Sequence, residues 1–61
     1  MSVQEMIRAL LAIGFTEEAI AYGVNVHKST ICRILKGNIH SPRYRLANEI
    51  KMIFDKYARK D

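Results

Sequence analysis

A chain of 61 residues, 49% hydrophobic and 26% charged, has the makeup of one small globular domain and not of a disordered tail. Its single cysteine excludes an intrachain disulfide framework and a zinc site built from thiolates, which fits a reducing cytoplasm. Apolar runs such as Ala9–Ile13 fall far short of the roughly 20 residues that span a bilayer; Glu5 precedes that run and the start is not basic, so no secretory signal is expected.

The first element reads as a helix over about residues 2–13. Ser2 followed three residues later by Glu5 is a capping box, in which the hydroxyl accepts from a free backbone N–H and the carboxylate reaches back. Met6, Ile7, Leu10 and Ile13 recur at three- and four-residue spacing and predict one apolar face. Gly14 stops the helix because it takes positive φ without steric cost, and Phe15 is expected to drop into the core. Thr16 is a good N-cap for a second helix over about 17–24, with Glu17 and Glu18 beside its positive end. Ile20, Ala21 and Val24 form its inner face. Gly23 lowers helix propensity by about 1 kcal/mol relative to Ala, less so near a helix end. Asn25 is the residue other than Gly that best tolerates the left-handed conformation, and Val26 should point inward.

The third helix is expected over about 28–36, with Ile31, Ile34 and Leu35 inward and Gly37 as its terminator. His27 before it is a poor N-cap. Residues 38–42 read as a loop anchored by Ile39, and Ser41-Pro42 is a helix start, a hydroxyl cap followed by Pro at the first helical position. The fourth helix then covers about 43–58, with Leu46, Ala47, Ile50, Ile53, Phe54 and Tyr57 on one stripe. No strand, repeat or low-complexity signal interrupts this pattern. The expected fold is all-α, a small four-helix domain with a central helix-turn-helix.

Charge separates the two halves of that central unit. Residues 1–26 carry Arg8 against Glu5, Glu17 and Glu18, a net of −2; residues 27–61 carry nine Lys or Arg against Glu49, Asp55 and Asp61, a net of +6. Basic charge therefore begins where the third helix begins, which points to a polyanionic partner; on charge alone, a solvated basic surface is the other reading. The geometry of such a unit makes its own demands. Two helices crossing steeply need a small residue at the contact, here Ala21. The turn must reverse quickly through a residue at positive φ, here Asn25. The remaining apolar positions then fix the second helix on the first and leave its outer face free for a major groove.

Counting from Glu17 as the first position, Ile20, Ala21, Val24, Val26, Ile31 and Ile34 stand at the fourth, fifth, eighth, tenth, fifteenth and eighteenth places. Across residues 17–37, without a gap, this resembles the helix-turn-helix of phage Cro proteins and phage or bacterial repressors. The run Ser29 to Gly37 is similar to recognition helices that end in a Leu-x-Gly stop. Asn25 stands where the family usually has Gly, and Glu17 where it often has Gln. The resemblance implies a lambda-repressor-like or Cro-like fold and a sequence-specific double-stranded DNA-binding regulator in a bacterial cytoplasm or nucleoid.

Carried over residue by residue, the resemblance implies that His27, Lys28, Ser29, Cys32 and Arg33 face base edges. Lys28 and Arg33 are suited to guanine O6 and N7, and Cys32 to a thymine methyl. Backbone phosphates would fall to Thr16, Thr30 and Lys36, and to Asn38, His40, Ser41, Arg43, Tyr44 and Arg45 around the start of the fourth helix, where free N–H groups attract anions. Glu17 would be repelled by phosphate, so at the second helix only the Thr16 hydroxyl and the N–H groups serve as contacts.

A single recognition helix reads about four or five base pairs, so two copies on a palindromic operator are expected. A homodimer, formed in solution or only on DNA, would use Met52, Phe54 and Tyr57 of the fourth helix, which exceed what a one-sided stripe needs; completing the monomer core is their alternative role. His27, His40 and Cys32 have no carboxylate at triad or ligand spacing. No enzymatic activity, metal, cofactor, small-molecule ligand or membrane partner is therefore expected. The other readings are a DNA-targeting module of a recombination or packaging system, and a helical bundle that binds only protein.

Overall fold

The computed structural model describes residues 2–37 and 44–58. Four helices follow in order: α1 (Val3–Ala12), α2 (Glu17–Gly23), α3 (Lys28–Leu35) and α4 (Tyr44–Tyr57). Among the described residues there is no strand, and the fold is all-α. Each expected helix is present and its ends lie within about a residue of those read from the pattern. Residues 38–43, including the loop and the Ser41-Pro42 start, lie outside the described residues.

The helix starts follow from local chemistry. Ser2 Oγ accepts from the Glu5 N–H at 3.1 Å, and Glu5 Oε1 accepts from the Ser2 N–H at 3.5 Å and its hydroxyl at 3.2 Å, closing the capping box. Thr16 Oγ1 accepts from the Ala19 N–H at 3.0 Å. His27 makes no side-chain capping bond to α3.

The helix ends share one device. After α1 the Phe15 N–H donates to the Leu10 carbonyl and the Gly14 N–H to that of Leu11, with Gly14 at φ 112. After α2 the Val26 N–H donates to the Ala21 carbonyl at 2.9 Å and the Asn25 N–H to that of Tyr22 at 3.2 Å, with Asn25 at φ 58. Both are Schellman closures, which satisfy carbonyls that the helix leaves unpaired. Asn25 thus does at the α2–α3 turn what Gly14 does after α1.

These closures set the direction of the apolar side chains. Met6, Ile7 and Leu10 of α1, Ile20, Ala21 and Val24 at α2, Ile31 and Ile34 of α3, and Ile50 of α4 form the core. Burying a side chain the size of Ile or Leu stabilises the fold by roughly 1.5–3 kcal/mol. Among the described residues no polar or charged residue is buried with them. α1 packs against both α4 and α3, and α2 packs on α3. Val26, Leu35, Leu46, Ile53 and Phe54 are half-buried around this core.

Two apolar positions depart from the expected faces. Ile13 is 51% exposed. It is the C-cap of α1, where the chain turns away through Gly14, and Phe15 packs against the core in its place. Tyr57 lies on the α4 stripe yet is 54% exposed. Its ring lies 5.3 Å from that of Phe15 at 57°, a tilted aromatic contact at the margin of the core.

Candidate nucleic-acid interface

The spacing that buries Ile31 and Ile34 leaves the rest of α3 pointing away from the core. His27, Lys28, Ser29, Arg33 and Lys36 are exposed, and Thr30 and Cys32 are half-buried. The structure therefore brings the expected base-edge residues onto one helix and its leading turn. From Lys28 to Lys36 that surface carries three cations and no acid. Among the described residues, neither Arg33 nor Lys36 is in an ion pair. The outward residues are polar or small, and the charge they carry is positive.

Three elements position α3. Through Ile31 and Ile34 it is seated on α1 and α2. The turn at Asn25 joins it to α2, and Ala21, 3% exposed, gives α2 a small side chain within the core. At the far end the Gln4 side-chain amide of α1 donates to the Leu35 carbonyl at 2.6 Å. That carbonyl belongs to the last turn of α3, which has no intrahelical partner for it. Sequence reasoning missed Gln4, and no local signal marks a residue 31 positions away.

A second contact missed from the sequence crosses the turn. Glu18 Oε1 lies 3.7 Å from Lys28 Nζ. Glu18 was legible as a first-turn acid beside the α2 dipole, but its reach to α3 depends on how the two helices are folded together.

The remaining expected phosphate contacts divide in two. The Thr16 side-chain oxygen is exposed and already accepts the Ala19 N–H, which leaves its hydroxyl proton to donate. Tyr44 is 86% exposed at the start of α4. Arg45 lies 3.6 Å from Glu49, one helical turn on, so part of its charge is compensated within α4. Asn38, His40, Ser41 and Arg43 lie outside the described residues.

On α4, away from α3 in sequence, a groove of about 380 Å³ opens against α2. Ala19 and Gly23 line it from α2, and Met52, Ile53 and Tyr57 from α4. A Cβ on Gly23 would stand 3.3 Å from Ile53 Cδ1, a tight contact that the end of the Ile53 side chain would have to relieve by a few tenths of an ångström. Met52 is 64% exposed and Tyr57 54%, whereas Phe54 is half-buried against the core. Of the three residues expected at a dimer contact, Phe54 thus contributes to the monomer.

Among the described residues no three His, Cys, Asp or Glu side chains converge to hold a metal ion, and no helix is long and apolar enough to cross a membrane. Comparison of the chain with protein-family models, with curated proteins and with solved structures returned no match.

Proposed function

We propose that this protein is a sequence-specific double-stranded DNA-binding regulator of Cro or repressor type, with α3 as its recognition helix. The observation that carries the reading is the left-handed closure at Asn25, which joins α2 to an α3 whose outward residues include Lys28, Ser29, Arg33 and Lys36. A major groove admits an α-helix, and guanine presents O6 and N7 there to cationic donors. Lys28 and Arg33 fill that role, and Ser29 donates to a base or a phosphate. Cys32 is small enough to let the helix lie close. Lys36 and the exposed start of α4 meet the flanking phosphates.

The protein works as a homodimer in this reading, because two half-sites about one helical turn apart supply the specificity that one helix lacks. The exposure of Met52 and Tyr57 supports α4 as the contact. Selection of bound duplexes from a random pool tests the proposal. A palindromic consensus, bound by two protomers in sedimentation and lost steeply with salt, is the expected result. Failure to enrich any duplex would overturn it. Lys28→Ala and Arg33→Ala should each reduce discrimination at one base pair by about 1–3 kcal/mol, whereas Lys36→Ala should weaken all sequences alike. Salt-independent capture of a protein, without duplex binding, would favour an interaction bundle instead.

A further inference from the structure

Resting on the DNA-binding reading, we propose that Glu18 sets specificity by occupying Lys28: it holds the ammonium away from phosphates and leaves it available to neutral acceptors on base edges. The two side chains meet at 3.7 Å across the turn, with Lys28 59% and Glu18 77% exposed. Lys28 is the first residue of α3. Whatever approaches its Nζ therefore also approaches the Glu18 carboxylate. Among the described residues Arg33 and Lys36 have no such companion, so the effect falls on one cation of the helix.

The chemistry separates two kinds of partner. A phosphate carries a full negative charge. To reach Lys28 it must displace Glu18 or stand beside it, with Glu17 also in the first turn of α2. Guanine O6 and N7 are uncharged acceptors. An ammonium has three donors, so it can serve the base edge while Glu18 keeps its place. The carboxylate thus opposes phosphate contact more than base contact. Both side chains are exposed, so added salt weakens the pair and the effect is largest at low ionic strength. Non-specific complexes depend on phosphate contacts almost entirely. They are the ones Glu18 weakens.

The test compares the parent with Glu18→Gln, Lys28→Gln and the double variant on two probes, a mixed-sequence duplex of about 20 base pairs and a duplex enriched from the random pool. Both positions are exposed, and thermal melting checks that every variant folds. Glu18→Gln should bind the mixed-sequence duplex roughly two- to fivefold more tightly at low salt, with a salt dependence steeper by about one released ion. It should gain less on the enriched duplex, so the specificity ratio falls. In the Lys28→Gln background the Glu18→Gln gain should shrink to the part due to lost repulsion alone, and the difference between the two gains is the coupling through Lys28. No gain on the mixed-sequence duplex, an equal gain on both probes, or a gain undiminished by removal of Lys28 would each overturn the proposal. A parent that binds neither duplex in a salt-dependent way removes the DNA-binding reading, and this inference with it. A parent that binds, with Glu18→Gln unchanged, removes only the inference.

Discussion

The two helices of the central unit are held by different means. α2 has its own instructions: a Thr16 cap, acids in the first turn and a Schellman closure at Asn25. α3 begins at His27 without a side-chain cap, has no acid in its first turn, and has its Leu35 carbonyl met by Gln4 from α1. Neither seven nor eight residues make a helix stable by itself in water. α2 is therefore specified locally at both ends, whereas α3 has a local signal only at its end, where Gly37 at φ 81 donates to the Ile34 carbonyl, and otherwise depends on its neighbours. The difference has a functional sense. With no side-chain cap at His27, no oxygen from that side chain covers the start of α3, which the proposed DNA contact would use. The helix that faces outward is stabilised from its inner side.

The largest test of that contrast is Ile31→Ala. Ile31 is fully buried, and its truncation should cost about 2–5 kcal/mol. That is a large share of the stability of so small a domain, so denaturant titration should find the variant close to unfolding. A cost below about 1 kcal/mol would mean that α3 is not anchored through its inner face. Next in size is the turn. Asn25→Ala puts Ala at φ 58, a left-handed conformation that it tolerates less well than Asn does, and should lose about 1 kcal/mol. Asn25→Gly should be neutral or slightly stabilising, and the two melting temperatures should bracket the parent.

The caps sharpen the comparison directly. Thr16→Ala removes the oxygen that accepts the Ala19 N–H and should cost about 1 kcal/mol. His27→Ala removes no cap and should leave the melting temperature close to that of the parent. Equal losses at the two positions would break the proposed asymmetry. The smallest expected loss is at Gln4→Ala, about 0.5 kcal/mol, because water can reach the partly buried Leu35 carbonyl once the amide is gone. Hydrogen exchange should locate the change at the last turn of α3, with α2 unaffected.

Much of the fold is legible in the sequence because its signals are local. Ser2 with Glu5, Thr16, Gly14, Asn25 and Gly37 each act within a few residues, through a hydrogen bond or a left-handed φ. The three- and four-residue spacing of Ile7, Leu10, Ile31, Ile34 and Ile50 follows from helical periodicity, and all five are buried. Ile13 and Tyr57 show where periodicity runs out. It assigns a side chain to a helical face, and cannot show that the chain has already turned at Gly14 or that α4 has reached the margin of the core.

The same division runs through the candidate site. That Lys28, Ser29, Arg33 and Lys36 share the outer side of α3 follows from their spacing once Ile31 and Ile34 face inward. The ion pair from Glu18 to Lys28, the bond from Gln4 to Leu35 and the groove beside Gly23 follow from no spacing at all. Each joins helices whose relative placement is set by packing the core side chains as a whole. Local rules choose which residues become helix and which side of each is apolar; close packing of those sides decides which polar side chains meet across them.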